Sequence, residues 1–231
     1  IDFSSMYPAI MVKHNISPET VGLENAPEGL IPKTLRPLLE KRLMLKNILS
    51  DLDPRDCRVE ILKARAVALK WLLVVCFGYL GYKNARFGKI ESHEAVTAMS
   101  RELMLQAKEV AEDMGFTILH MYVDCLFVQQ EGFRIPSDFT PLMNAIEEQT
   151  GIPIALEGVF KWVAFLASKR DARVPVPNQY FGAFQDGTLK YRGIELRRRD
   201  TTLWVRKIQL KALEVLAGAN TPHEFADRIP D

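Results

Sequence analysis

One carboxylate near the start of the chain stands where it could bind a metal ion. Asp2 ends an apolar, strand-like segment and precedes a predicted tight turn. This position places the carboxylate at a sheet edge, with the backbone N–H groups of the turn just beyond it. Carboxylate oxygens suit Mg²⁺, and turn amides suit phosphate groups. The alternative is that Asp2 caps the helix that follows.

Three cations form a second candidate site. Arg42 and Lys46 are four residues apart and share one face of a predicted helix. Lys70 lies on the next predicted helix, an antiparallel partner across a short break, and can project the same way. Convergent cations suit a triphosphate, whose charge must be neutralised before the bond to the α-phosphorus forms. The alternative is an exposed, solvated helix face.

The predicted elements that position these residues place the chain in the α+β class. Apolar residues at helical spacing predict helices over 38–52, 58–77 and 92–114, and further helices are predicted at 138–149 and 201–217. Strands are predicted at 1–3, 117–123, 126–129 and 152–168. The Asp186-Gly187 pair predicts a type I′ turn that joins strands 180–185 and 188–196. The order is a sheet with covering helices, interrupted by a two-helix hairpin.

Composition and charge leave the partner open. The net charge is +1, but residues 161–211 carry twelve cations against four acids, which fits either a phosphate-binding face or a solvated surface. The three cysteines form no CxxC pair, which argues against zinc or disulfides and for a reducing, cytoplasmic setting. The longest apolar run, 71–77, is far below the ~18 residues of a membrane span. The chain opens without Met, and we expect it to be part of a longer polypeptide.

Residues 2–11, Asp-Phe-Ser-Ser-Met-Tyr-Pro-Ala-Ile-Met, resemble the pattern Asp-Phe-x-Ser-Leu-Tyr-Pro-Ser-Ile-Ile of family B DNA polymerases. Positions 6, 9 and 11 depart from it conservatively. The resemblance implies that Asp2 and the backbone of Phe3 bind two catalytic Mg²⁺ ions, which Mn²⁺ can replace. It implies that Tyr7 lies beneath the incoming sugar, where a ribose 2′-hydroxyl would clash. Three residues would contact the triphosphate through their backbone: Ser4, Ser5 and Met6.

The helical hairpin resembles the fingers of the same family. Residues 39–42 (Leu-Glu-Lys-Arg) resemble the fingers signature, and residues 70–82 resemble the motif Lys-x-x-x-Asn-Ser-x-Tyr-Gly. The resemblance implies that four residues bind the nucleotide: Arg42, Lys46, Lys70 and Val74. It implies that Gly78 and Tyr79 contact DNA. Val74, Val75 and Phe77 replace the family's Asn, Ser and Tyr. Because an apolar residue at 74 removes hydrogen bonds near the nascent base pair, we expect altered fidelity or slower incorporation.

The predicted hairpin around Asp124 resembles the family's Tyr-Gly-Asp-Thr-Asp-Ser turn. Asp124 matches the first aspartate, and Leu126 stands in place of the second. The resemblance implies that Asp2 and Asp124 are the catalytic carboxylates, which suffice to bridge two metal ions although the lost ligand should weaken metal binding. Leu126 and residues 88–94 resemble an archaeal branch of the family in which inactivation has been suspected. The alternative is therefore an inactive polymerase fold that binds DNA or serves in assembly.

Glu157 is a further candidate metal ligand. It lies in a segment predicted as a strand, which the resemblance places beside the Asp124 hairpin. A carboxylate there could partly substitute for the missing ligand. The alternative is an ordinary carboxylate on a strand face.

The basic part of the chain resembles the family's DNA-contacting segments. The family has Lys-Lys-x-Tyr after the 152–168 segment, whereas here Ser-Lys-Arg at 168–170 is followed by an extra stretch, 171–177, before the tyrosine. Residues 193–200 resemble Gly-x-Glu-x-x-Arg-Arg-Asp. The implied DNA contacts are Lys169, Arg170, Tyr180, Arg197, Arg198 and Arg199. Such contacts track a duplex without reading its sequence.

The resemblance implies a polymerase palm formed by residues 1–32 and 88–200, with an antiparallel sheet and covering helices. Residues 33–87 would form the fingers and residues 201–231 the beginning of a thumb. The expected function is template-directed addition of deoxynucleotides to a primer 3′-hydroxyl, in a prokaryotic, nucleoid-associated setting. Expected partners are primer–template DNA, deoxynucleoside triphosphates, and the N-terminal, exonuclease and thumb regions of a parent polymerase.

Overall fold

The computed structural model describes residues 1–220 and 222–228. The strands are β1 (Asp2–Phe3), β2 (Thr117–Tyr122), β3 (Cys125–Gln129), β4 (Ile154–Ala155), β5 (Phe160–Ala167), β6 (Pro175–Phe184) and β7 (Leu189–Arg192). The helices are α1 (Met6–Lys13), α2 (Leu30–Asp51), α3 (Val59–Leu80), α4 (Ile90–Asp113), α5 (Thr140–Thr150), α6 (Leu203–Ala217) and α7 (Pro222–Asp227). Short 3₁₀ helices span Pro136–Phe139 and Glu195–Arg197. The predicted α+β class is confirmed.

The chain divides into two compact units. The first comprises Ile1–Glu131 and Thr140–Ala155, and the second Gly132–Phe139 and Leu156–Asp231. Of the predicted thumb segment 201–231, residues 221 and 229–231 lie outside the described residues. No helix in the described part of the chain is long and apolar enough to cross a membrane.

The sheet of the first unit is antiparallel, with the strand order β2-β3-β1-β4. The short strand β1 is central: Asp2 is in register with Cys125 of β3 on one side and with Ala155 of β4 on the other. Because β1 is paired along both edges, its backbone is held at the middle of the sheet. The turn that leaves β1 therefore starts from a fixed position.

The predicted helical hairpin is confirmed, with α2 packed against α3. The first helix begins at Leu30, earlier than the prediction, because the buried residues Ile31 and Leu35 extend its apolar stripe toward the N-terminus. Pro32 lies in the first turn, where its missing N–H costs no helical hydrogen bond. The hairpin thus brings two long helices against α1, which directly follows β1.

Helix α4 forms the base of the first unit. Its buried face includes Val96, Leu103, Ala107 and Ala111, and it packs against α1, α5 and β2. Met114, the last residue of the predicted helix, is 37% exposed. The buried face instead uses small alanines, which let the neighbouring elements approach α4 closely.

The second unit contains a three-stranded antiparallel sheet with the order β5-β6-β7. The predicted type I′ turn between β6 and β7 is wrong, because Gly187 has a positive φ of 84° and Asp186 does not. The N–H of Gly187 donates to the carbonyl of Phe184 (2.9 Å), and the N–H of Phe184 donates to the carbonyl of Thr188 (2.9 Å). This is the longer hairpin connection in which a turn is followed by one left-handed residue.

Candidate active site

A cavity of about 400 Å³ opens in the first unit beside the end of β1. It is lined by Asp2, Phe3, Ser4, Ser5, Met6, Tyr7, Pro8, Arg42, Lys46, Lys70, Leu73, Val74, Phe77 and Asp124. These residues come from β1, α1, the two helices of the hairpin and the β2–β3 turn. All the residues predicted to bind nucleotide therefore share one cavity with the two predicted catalytic carboxylates.

The two carboxylates meet because β1 pairs with β3. The N–H of Phe3 donates to the carbonyl of Asp124 (2.8 Å), and the N–H of Leu126 donates to the carbonyl of Ile1 (3.0 Å). These bonds hold the β2–β3 turn against the end of β1, so that Asp2 and Asp124 line the same cavity. The arrangement brings together two carboxylates that are far apart in sequence.

The turn after β1 has a left-handed residue. Ser5 occupies the N-cap position of α1 with φ 57° and ψ 47°, a conformation that costs a non-glycine residue free energy. Its side chain makes no capping hydrogen bond, and its hydroxyl accepts a hydrogen bond from Arg42. Because the N-cap position belongs to Ser5, the alternative that Asp2 caps α1 is wrong.

The three cations converge on the same turn. Lys46 Nζ donates to Ser4 Oγ (3.0 Å), and Arg42 Nη1 donates to Ser5 Oγ, so both tie α2 to the β1–α1 connection. Arg42 and Lys46 are half-buried, and Lys70 is exposed at the cavity's edge. Their approach concentrates positive charge in a place that is partly shielded from water.

Burial changes the proton affinity of these cations. It lowers the pKa of the Lys46 ammonium, the Arg42 charge lowers that pKa further, and Asp2 acts in the opposite direction. Burial also lowers the pKa of the Arg42 guanidinium, again opposed by Asp2. A bound anion would offset both the free-energy cost of burying the cations and the repulsion between them. The cluster therefore favours a ligand with several negative charges.

Tyr7 stands at the head of a stack of three rings. Its ring centroid lies 4.3 Å from that of Phe77, with the two ring planes tilted by 43°, and the Phe77 ring stacks on His93 at 4.2 Å. A side chain at Gly81 would collide with His93, since an added Cβ would lie 2.8 Å from its Nδ1. Burial, and secondarily the charge of Asp124, raise the pKa of the Tyr7 hydroxyl. The stack fixes the Tyr7 ring between α1, α3 and α4.

The role of His93 in this stack was not predicted. A single histidine in the first turn of α4 carries no spacing signal that relates it to Tyr7. Only the packing of α3 against α4 brings the two residues together.

Leu126 lies in the core. Its side chain is 1% exposed and does not line the cavity. Across the described residues, no group of three or more His, Cys, Asp or Glu side chains could hold a metal ion. The acidic residues that line the cavity are Asp2 and Asp124.

The predicted position of Glu157 on a strand is wrong. It lies in the connection between β4 and β5, in the second unit, and forms an ion pair with Lys190 of β7. The Lys190 side chain is only 14% exposed, so its charge needs a partner at that place. The structure therefore gives Glu157 a local electrostatic role.

The predicted DNA contacts divide between the two units. Gly78 and Tyr79 lie near the end of α3, where both are exposed. The remaining six residues lie in the second unit: Lys169, Arg170, Tyr180, Arg197, Arg198 and Arg199. Five of these are exposed, but Tyr180 is 4% exposed and its ring packs against Phe165, with the centroids 5.8 Å apart. As it lies, Tyr180 has little surface to offer to DNA.

The cations of the second unit differ in how far their charge is balanced. Lys169 and Arg170 follow β5 and are exposed. Arg198 forms ion pairs with Asp200 (2.8 Å) and Glu195 (3.6 Å). Because its charge is already compensated, Arg198 has less to offer to a phosphate than the other exposed cations of this unit.

Comparison with known proteins gives concordant matches. The sequence model of DNA polymerase family B matches residues 23–229. A "DNA polymerase" of Archaeoglobus fulgidus is 31% identical over 245 residues, covering 100% of this chain and 30% of that protein. A "DNA polymerase 2" of Saccharolobus solfataricus is 34% identical over 205 residues, covering 84% of this chain and 29% of that protein.

A solved structure agrees with these matches. The family B DNA polymerase from the hyperthermophilic archaeon Pyrobaculum calidifontis superposes with a TM-score of 0.69 at 30% identity, covering 98% of this chain and 30% of that one. This chain thus spans about 30% of the length of the relatives that it matches.

Proposed function

We propose, from the premise that this chain belongs to DNA polymerase family B, that it forms part of the catalytic core of a template-directed DNA polymerase. The reaction is the addition of a deoxynucleotide to a primer 3′-hydroxyl with release of pyrophosphate. The observation that carries the proposal is the single cavity in which two carboxylates, three cations and Tyr7 meet. The cations match the triphosphate of a deoxynucleotide, Tyr7 matches its sugar, and the carboxylates match the metal ions that accompany it.

The cations would bind the triphosphate. Arg42 and Lys46 are half-buried and tethered to the serines of the β1–α1 turn, so they are already positioned when a nucleotide arrives. Lys70 approaches from α3, the other helix of the hairpin. In phosphoryl transfer most of the catalysis comes from positioning and charge stabilisation, which is what this arrangement supplies.

Tyr7 would select the sugar. The ring stack holds Tyr7 from behind, and its ring borders the cavity beside Asp2. A tyrosine held rigidly beneath the sugar leaves no room for a 2′-hydroxyl. The proposed substrate is therefore a deoxynucleotide.

The residues present fit Mg²⁺. Asp2 and Asp124 supply carboxylate oxygens to one cavity, and the backbone of Phe3 borders it. Mg²⁺ is commonly held by one or two carboxylates together with substrate phosphates, so a third protein carboxylate is not required. When bound, Mg²⁺ supplies charge neutralisation at the phosphates and activation of the attacking hydroxyl, a role that Mn²⁺ can also fill. With Leu126 in the core, affinity for the metal would depend strongly on the nucleotide.

The proposed polymerase segments keep the bounds that the resemblance implies. We assign residues 1–32 and 88–200 to the palm, 33–87 to the fingers, and 201–231 to the start of the thumb. Exposed cations of the second unit would meet the DNA backbone, with Lys169, Arg170, Arg197 and Arg199 as the strongest candidates. The same proposal includes these DNA contacts. It also includes the N-terminal, exonuclease and thumb regions of the polymerase and a prokaryotic, nucleoid-associated setting.

A second candidate function is an inactive polymerase fold that binds DNA. The observation that favours it is the leucine at position 126, where the family pattern has its second aspartate. The half-buried cations argue against it, because burying a positive charge is unfavourable. A module that only binds DNA gains nothing from cations buried where a triphosphate would bind.

Primer extension by the complete natural polypeptide that carries this chain separates the two functions. With Mg²⁺ or Mn²⁺ and all four deoxynucleotides, we expect extension that the Asp2→Ala variant lacks. A mobility-shift measurement on the same samples verifies that both proteins bind primer–template. Equal, background-level extension by the two proteins, with DNA binding intact, would establish the inactive module instead.

A further inference from the structure

A buried serine in the apolar face of α4 reaches across to the start of α1. Ser100 is 4% exposed, and its neighbours along this face, Val96 and Leu103, are apolar and buried. The Ser100 hydroxyl donates a hydrogen bond to Met6 Sδ (3.5 Å) and hydrogen-bonds the hydroxyl of Tyr7. Both partners line the cavity. Ser100 therefore joins α4 to two adjacent residues of the candidate site.

The direction of these bonds distinguishes Ser100 from other hydroxyls on the helices of the first unit. Thr97 Oγ1 donates to the carbonyl of Glu94 (2.9 Å), and Thr150 Oγ1 donates to the carbonyl of Ile146 (2.7 Å). A hydroxyl that returns to its own helix in this way needs no other element. Ser100 bonds to side chains of α1 instead, so its hydroxyl constrains where α1 lies relative to α4.

Helix α4 supports Tyr7 at two places. His93 and Ser100 are seven residues apart, about two helical turns, and so lie on the same face of α4. The His93 ring packs on Phe77, which contacts the Tyr7 ring, whereas Ser100 binds the hydroxyl at the far end of that ring. Apolar ring packing is weakly directional, and a hydrogen bond is strongly directional. Ser100 therefore supplies the orientation that the ring contacts leave open.

We infer that Ser100 is a positioning residue for sugar selection, which holds the Tyr7 ring at a fixed depth beneath the sugar of the incoming nucleotide. The inference rests on the proposed function, in which Tyr7 excludes the ribose 2′-hydroxyl. Steric exclusion requires a side chain that cannot yield, because a small displacement would give the extra hydroxyl room. Ser100 acts only through Tyr7 and Met6, since it is buried and does not line the cavity.

Nucleotide binding by the complete natural polypeptide tests the inference. The protein is bound to a primer–template whose primer ends in a dideoxynucleotide, so that binding is measured without insertion. Affinities for the matching deoxynucleotide and ribonucleotide are measured by fluorescence titration, and their ratio is the selectivity. Ser100→Ala should lower the selectivity by about two- to tenfold, the effect of losing one hydrogen bond. Deoxynucleotide affinity itself should change less.

A double-mutant cycle separates positioning from packing. Tyr7→Phe keeps the ring and removes the hydroxyl that Ser100 binds. If Ser100 acts through that hydroxyl, Ser100→Ala should lower the selectivity of the natural protein but should not lower that of the Tyr7→Phe variant any further.

Ser92→Ala is the matched control. Ser92 is a buried serine of the same helix, and its hydroxyl has no hydrogen-bond partner among the residues that the structure describes. The same change at this position should therefore leave the selectivity as it is in the natural protein. Thermal unfolding of each variant verifies that it is folded at the temperature of the titration.

Two results would overturn the inference. One is equal selectivity of the natural protein and Ser100→Ala, and the other is an equal loss from Ser100→Ala with and without the Tyr7 hydroxyl. The measurement is separate from catalysis. Selectivity that depends on Ser100, in a polypeptide that extends no primer, would leave the inference standing and sink the proposed function. Primer extension without such dependence would do the reverse.

Discussion

Replacing Leu126 with aspartate tests where this side chain lies. If the position faced the metal site, the change would restore a carboxylate ligand. The structure instead places Leu126 in the core, 1% exposed, on a strand whose backbone is bonded to Ile1. We therefore expect Leu126→Asp to destabilise the protein and to leave its dependence on Mg²⁺ unchanged.

The magnitude follows from burial. Truncation of a buried leucine costs about 2–5 kcal/mol, and burial of a polar group without a full set of partners adds about 1–3 kcal/mol. Because a domain is stable by only about 5–15 kcal/mol, the apparent Tm should fall by on the order of 10 °C. A carboxyl in the core has a pKa raised above its unfolded value. Its cost is therefore smallest at low pH and grows as pH rises through the unfolded pKa toward that raised value.

The assay is thermal unfolding of the complete polypeptide with and without Mg²⁺, at acidic and neutral pH. Leu126→Met keeps the volume and should cost less than about 1.5 kcal/mol. Leu126→Asn matches the shape of aspartate without its charge, and should be destabilised without the pH dependence. An aspartate variant that Mg²⁺ stabilises by several degrees more than it stabilises the natural protein would refute the buried placement.

Three further predictions concern the cavity and the second unit. Because burial lowers the pKa of Lys46, this side chain loses its charge at a lower pH than an exposed lysine does. Deoxynucleotide affinity, measured by fluorescence titration, should therefore fall as the pH rises toward that pKa. Lys46→Arg, which stays charged, should remove this loss of affinity at alkaline pH. His93→Ala removes the ring that packs on Phe77 behind Tyr7. It should lower discrimination against ribonucleotides by about fivefold, measured as the ratio of kcat/KM for the deoxynucleotide to kcat/KM for the ribonucleotide. Deoxynucleotide insertion itself should change less. Glu157→Gln should leave Mg²⁺ affinity unchanged and cost about 1–3 kcal/mol of unfolding free energy, because it leaves the mostly buried charge of Lys190 without its carboxylate partner; a loss of Mg²⁺ affinity would make Glu157 a ligand after all.

The sequence predicted the helices and the cavity better than the sheets. Arg42 and Lys46 lie at helical spacing, so their shared face could be read directly, and the short break before α3 placed Lys70 opposite them. The carboxylates were related through resemblance to a family, since nothing local connects Asp2 with a residue more than a hundred positions away. Their proximity depends on strand pairing, which is a long-range property.

The errors have the same origin. The alternation around Glu157 suits a strand, but its partner Lys190 is supplied by β7, and no local pattern indicates that pairing. Asp186-Gly187 favours a type I′ turn, yet the register of β6 with β7 leaves more residues in the connection. Tyr180 matched a motif, and its burial became visible only with the ring of Phe165 beside it. In each case the deciding contact was made by a residue on another strand.

Single-turnover insertion of one deoxynucleotide tests the central claim most directly. The complete natural polypeptide, its Asp2→Asn variant and its Asp124→Asn variant are each mixed with primer–template, one deoxynucleotide and Mg²⁺. If Asp2 and Asp124 together form the metal site, each variant should insert at least about 100-fold more slowly than the natural protein. Insertion by the natural protein at the rate of the variants would contradict the account.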